Sequence, residues 1–250
     1  MWHRFPRGVQ ALVEVGILFL PGIPATIWLW PNVDNTDWFM PVQVLVYLYF
    51  LAGCLVIGRR RWSWDQLGLN RRGFGLSLIS GAVLITGRIL ITLSVTWPGG
   101  PPTVTIGQLL GDIVFYFVLV GFSEELLFRG VIYRAFDEWR GARWAIWGSA
   151  LMFGVYHAGW QGVAAVGTLL FGVIFAVICW RAGSIVGLIV VHGLMDVSAS
   201  LMLPGLEMQQ LRQVTLSFPL MLITGYALIL IVPIYLWKFY HADTFTWRLT

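Results

Sequence analysis

Long apolar stretches recur down the chain at close to the ~20 residues that carry a helix through a lipid bilayer, and no other feature narrows the possible folds as far. Within hydrocarbon every backbone N–H and C=O must find a partner inside the protein, which a helix provides within one segment. Eight such stretches are readable, at residues 9–30, 41–58, 73–97, 109–136, 144–158, 162–180, 185–203 and 216–237. The expected fold is all-α: a polytopic transmembrane bundle of about eight spans, forming a single integral membrane domain over residues 1–250. With 58% of residues hydrophobic and 11% charged, a water-soluble core is not in question.

The spans are not uniform. The first carries Glu14 and is interrupted by Pro21, Gly22 and Pro24, which predicts a kink. The fourth, residues 109–136, would measure about 42 Å as a helix, more than the ~30 Å hydrocarbon core. It must tilt or project into water. The fifth is short, and a re-entrant fifth segment would invert everything after it.

If the loops alternate sides, thirteen basic residues fall on one side and only Arg212 on the other, an asymmetry that puts both termini in the cytoplasm. Residues 59–72 hold five arginines with Trp62 and Trp64 and read as an interfacial segment facing anionic lipid. The basic excess therefore belongs to cytoplasmic loops; no nucleic-acid motif is present and no nucleic-acid partner is expected. Fifteen arginines against one lysine suggest a GC-rich bacterial genome, hence a bacterial inner membrane. The N-terminal run lacks a small-x-small cleavage site and reads as a retained anchor. Cys54 and Cys179 lie in apolar runs, without the spacing of a disulfide framework.

Against this apolar background the ionisable groups stand out, because they are expensive in lipid and usually functional there. Residues 121–134, GFSEELLFRGVIYR, hold Glu124, Glu125 and Arg129. Glu125 and Arg129 are four apart with the acid first, the favourable order for a helical ion pair. Glu124 is turned about 100° away and left free for chemistry. His157 lies near the end of the fifth stretch, and His192 and Asp196 share a face of the seventh. Glu124 and His157 are equidistant from the turn at 140–141, so a helical hairpin brings them to one level. The same argument predicts a pair between Arg88 and Asp112 around residues 98–102. Glu14 has no evident partner. All three polar motifs are expected within reach of the cytoplasmic side, around a water-filled cavity open to the cytosol.

The ordered set Glu-Glu-x-x-x-Arg (Glu124, Glu125, Arg129), Phe-x-x-x-His (Phe153, His157) and His-x-x-x-Asp (His192, Asp196) resembles the CAAX-prenyl protease and bacteriocin-processing family of intramembrane endopeptidases. The resemblance covers roughly residues 109–200, the expected catalytic core. It implies hydrolysis of a peptide bond near the cytoplasmic interface of the membrane. Glu124 and His157 would activate the water, and His192 and Asp196 would stabilise the oxyanion. Its substrates would be membrane-associated peptides or proteins: a lipid-modified C-terminus, a bacteriocin or pheromone leader, or a C-terminal sorting tag. An ionised aspartate only accepts hydrogen bonds. Asp196 is therefore expected to orient His192 or to carry a proton itself, while His192 donates to the oxyanion. Glu125 and Arg129 are expected to support Glu124.

Two other readings remain at this stage. Glu124, His157 and His192 supply one oxygen and two nitrogens, a donor set that suits a divalent metal such as zinc. With no HExxH and three separate helices involved, no cofactor is favoured. A non-proteolytic membrane scaffold, or a proton-coupled transporter, would also use an intramembrane Glu/His cluster, although the paired halves common in transporters are not visible.

Overall fold

In the computed structural model, residues 5–22, 36–96, 105–161, 165–202 and 219–238 are described. Among these the chain is helical, with no strand: α1 Arg7–Phe19, α2 Thr36–Arg59, α3 Phe74–Thr96, α4 Ile106–Arg140, α5 Ala142–Gln161, α6 Ala165–Ala182, α7 Val186–Met202 and α8 Pro219–Lys238. The expected eight spans thus appear as eight helices, of which five, α2, α3, α4, α6 and α8, are long and apolar enough to cross a membrane. The other three differ from expectation for local reasons. Helix α1 is 13 residues; Pro21 and Gly22 follow it, and residues 23 and 24 of the expected interruption lie outside the described residues. Helix α7 is 17 residues, and α5, at 20, includes Arg143, Ser149, His157 and Gln161. The latter two carry site residues and are packed among their neighbours.

Lipid tails are as apolar as leucine, so helices in a membrane associate through close backbone approach at small residues. The contacts follow that rule. A Cβ on Gly172 would meet the backbone of Ala150, and one on Gly154 would meet Leu169, joining α5 to α6. Gly87 and Gly225 set the backbones of α3 and α8 together, and Gly8 sets α1 against Ala135 of α4.

Helix α4, at 35 residues, would be about 52 Å long at an α-helical rise. Thr105 caps it, its hydroxyl accepting from the Gln108 N–H at 3.1 Å. Gly141, at φ 86°, ends it and lets α5 start one residue later. Its middle is irregular: π-helical segments over Val114–Gly121 and Leu126–Ile132 flank a single α-helical turn, Phe122–Glu125. Such segments are rare and gather at functional sites. Here they frame the two glutamates.

The arginine-rich ends of the helices gather under one cap. Residues 60–73, most of the stretch 59–72 expected as an interfacial segment, fold back over these ends. Trp62 is 2% exposed and donates to Glu138 at 2.9 Å, Leu67 is buried, and Arg71 and Arg72 stay outside. The segment fastens the α6–α7 turn: Ile185 N–H donates to the Gly68 carbonyl at 2.9 Å, and the Ser184 hydroxyl donates to the Asn70 carbonyl at 2.5 Å. Glu14 finds the partner its sequence did not reveal, Arg61, at 2.5 Å.

Candidate active site

Two glycines bring α4 and α7 together. A Cβ on Gly121 of α4 would sit 3.1 Å from the Ile189 carbonyl and 3.3 Å from the Gly193 nitrogen of α7, while one on Gly193 would meet the Phe117 ring. With nothing larger between them, the α4 and α7 backbones touch, just before the glutamate pair on one helix and just after His192 on the other. The Ser123 hydroxyl turns back to the Leu119 carbonyl, so its polar atom is satisfied within α4.

The site that results is almost closed to solvent: Glu124, Glu125, Arg129, His157 and His192 are 3%, 0%, 2%, 8% and 7% exposed. Glu125 accepts from Arg129 at 2.8 Å and pairs with Nδ1 of His192 at 2.7 Å through the same oxygen, Oε1. Arg129 also donates to the Gly172 carbonyl at 3.3 Å and lies over the Phe153 ring, 4.4 Å from its centroid. A buried guanidinium held on three sides in this way is a structural strut. Glu125 thus contacts His192 directly.

Glu124 is held differently. Its Oε1 accepts from the Tyr47 hydroxyl of α2 at 3.2 Å. Its Oε2 is buried with no hydrogen-bond partner among the described residues, yet faces Nε2 of His157 at 3.7 Å and Nε2 of His192 at 3.8 Å. His157 Nδ1 lies 2.8 Å from the Phe153 carbonyl. A carbonyl only accepts, so Nδ1 carries the hydrogen and, in the neutral ring, Nε2 presents its lone pair to Glu124. His192 Nε2 also faces Asp196 Oδ2 at 3.4 Å. One carboxylate oxygen and two imidazole nitrogens therefore surround one point, each ring oriented from behind by an acceptor.

The four expected residues Glu124, His157, His192 and Asp196 line one cavity of about 1030 Å³. Sequence reasoning missed Tyr47, because a lone tyrosine in an apolar run carries no spacing signal. The expected Arg88–Asp112 pair does not form. Arg88 donates to the Met195 carbonyl at 3.3 Å, and Asp112 accepts from Ser200 at 2.7 Å. The cavity lining extends from Glu124 to Gln43, Gln108, Gln161 and Thr168, at the arginine-poor ends of α2, α4, α5 and α6.

The donor set has the chemistry that zinc prefers, but among the described residues no group of three or more His, Cys, Asp or Glu side chains is arranged to hold a metal ion.

Residues 106–198 match a protein family described as type II CAAX prenyl endopeptidase, Rce1-like. No curated protein and no solved structure matches the chain.

Proposed function

From the match of residues 106–198, which supports membership of the CAAX-prenyl protease and bacteriocin-processing family, we propose that this integral membrane protein is an intramembrane endopeptidase that hydrolyses a peptide bond with water activated by Glu124. The observation that carries the reading is the buried, unpartnered Glu124 Oε2 facing two imidazole Nε2 atoms at 3.7 and 3.8 Å. That spacing exceeds a direct hydrogen bond and suits a water or a reacting atom between the groups.

A water that donates one hydrogen to Glu124 Oε2 and the other to His157 Nε2 keeps its oxygen lone pair free for the substrate carbonyl. As the C–O bond forms, Glu124 takes the proton. Negative charge then develops on the carbonyl oxygen. His192, its Nδ1–H held by Glu125, meets that charge with the Nε2 hydrogen that its imidazolium form carries. Asp196 orients the same nitrogen. Collapse of the tetrahedral intermediate breaks the C–N bond, and the proton held by Glu124 passes to the leaving amine, returning the carboxylate. No step requires a metal. If zinc were bound, Glu124, His157 and His192 would hold it and it would polarise the carbonyl; strict chelation of the purified enzyme separates the cases, with full residual activity expected.

The substrate is proposed to be a membrane-associated peptide or protein. The test is a Glu124→Gln variant that accumulates and folds as the parent does. A protease loses cleavage and retains the uncleaved substrate, which then co-purifies for identification by mass spectrometry. A scaffold or transporter keeps its cellular phenotype with the substitution or traps no peptide, and that outcome would overturn the reading.

A further inference from the structure

The α4–α5 turn and the ends of α6 and α8 enclose a second cavity, of about 580 Å³, that shares no residue with the glutamate site. Arg140, Arg143, Trp144 and Ile146 line it from the turn and the start of α5, Trp180 from α6 and Trp237 from α8. Gly141, at φ 86°, reverses the chain within one residue, so arginines from two successive helices reach the same cavity. The ends of α6 and α8 are fastened to each other beside it. The Trp180 and Trp237 rings stand 5.4 Å apart by centroid, and Arg181 donates to the Trp237 carbonyl at 3.0 Å while lying over the Trp180 ring.

The two arginines that line the cavity are not neutralised within the protein. Asp137 and Glu138, the acids nearest in sequence, are held by Arg134 and Arg7, and among the described residues no carboxylate pairs with Arg140 or Arg143. Both side chains are exposed, Arg140 lying over the Trp139 ring at 4.8 Å. A guanidinium presents a planar fork of donors that matches two phosphate oxygens. Tryptophan belongs at the level of lipid headgroups, and Trp144 and Trp237 keep their rings at the outer surface of the bundle, 58% and 46% exposed. Further along, the exposed faces of α5, at Trp147, Leu151 and Val155, and of α8, at Leu230, Ile231 and Ile234, are apolar. A soluble anion has no use for that surface, whereas the acyl chains of a lipid held at the cavity lie against it.

We propose that this cavity binds the headgroup of an anionic phospholipid, its phosphate between Arg140 and Arg143 and its glycerol region against Trp144 and Trp237. Basic pockets between transmembrane helices recognise anionic headgroups in this way. The bound lipid ties the start of α5, the helix that carries His157, to the ends of α6 and α8. Because the cavity and the glutamate site share no residue, the lipid site is independent of the protease reading.

The test uses the full chain, delipidated in dodecyl maltoside, with thermal unfolding recorded on titration with phosphatidylglycerol, phosphatidylcholine, glycerol 3-phosphate or inorganic phosphate. Phosphatidylglycerol is expected to raise Tm saturably; phosphatidylcholine and the two soluble phosphates are not. In the double variant Arg140→Gln/Arg143→Gln, the affinity for phosphatidylglycerol should fall by roughly 30-fold, from the loss of two basic residues at a headgroup. Arg60→Gln/Arg71→Gln removes the same charge from exposed arginines outside the cavity and should bind as the parent does. Equal responses to the two lipids, or equal losses in the two double variants, overturn the proposal. A response to soluble phosphate as large as that to phosphatidylglycerol assigns the cavity to a free phosphate and overturns the lipid source. Should Arg140→Gln/Arg143→Gln not accumulate, photocross-linking of the parent with phosphatidylglycerol carrying a headgroup diazirine decides the matter. Adducts are expected within residues 139–147 and at Trp237, and adducts spread over the other arginine-rich segments overturn the proposal.

Discussion

Replacing Gly121 with alanine tests whether the α4–α7 contact builds the site. The added Cβ would lie 2.9 Å from the Tyr116 carbonyl, 3.1 Å from that of Ile189 and 3.3 Å from the Gly193 nitrogen, where ordinary contact begins at 3.4 Å. All three are backbone atoms and cannot rotate away. Either the π-helical turn that ends at Gly121 must reshape or α7 must retreat by a few tenths of an ångström, at an overpacking cost of about 1–3 kcal/mol. His192 adjoins Gly193, so its Nε2 moves relative to Glu124. Misplacement by 1 Å costs about 10²-fold in rate, and a shift of a few tenths is expected to cost on the order of 3- to 10-fold. The assay is kcat on a trapped and identified substrate, alongside thermal unfolding in detergent. Gly107→Ala, on the same helix with nothing within 4 Å of its added Cβ, is the matched control and should be neutral. Parental turnover and stability in Gly121→Ala would refute the argument that this contact sets the catalytic geometry.

Other substitutions separate support from chemistry. Arg129→Met leaves Glu125 buried beside His192 without its guanidinium, and breaking a buried pair costs about 3–5 kcal/mol; a marked fall in Tm and in accumulated protein is expected. Tyr47→Phe removes the hydrogen bond that Tyr47 donates to Glu124 Oε1, a loss of about 1.5–3 kcal/mol where the acceptor is charged; kcat should fall by roughly 10-fold or more with the fold intact. Asp196→Asn keeps a polar group beside His192 Nε2 and should retain most activity, whereas Asp196→Leu should not; initial rates with the same substrate distinguish the two.

What the sequence disclosed and what it hid have a common physical origin. Spacing within one helix fixes a face, so Glu125–Arg129 and His192–Asp196 were legible as pairs, and both form. Equal distance from a turn gave Glu124 and His157 one level because α4 and α5 pack against each other, Gly148 against Phe136. The same arithmetic failed for Arg88 and Asp112. There α3 packs on α7 and α8 instead, through Gly81 against Val191 and Gly87 against Gly225, and helices consecutive in sequence need not be neighbours in space. Glu14–Arg61 joins a helix to the segment after α2 and Tyr47–Glu124 joins two helices, and neither left a periodic trace. Nor did the π-helical segments, since their widened turns arise where α4 meets its neighbours. The packing of residues 60–73 was hidden for a related reason: counting residues from a turn measures depth but does not reveal that this segment folds over the arginine-rich helix ends.

The most direct measurement is single-turnover cleavage by purified Glu124→Gln, with substrate binding measured on the same sample. If Glu124 is the base that activates water, the rate falls by about 10²–10⁴-fold while the dissociation constant stays near that of the parent. Cleavage at close to the parental rate would contradict the account, whatever the geometry around it.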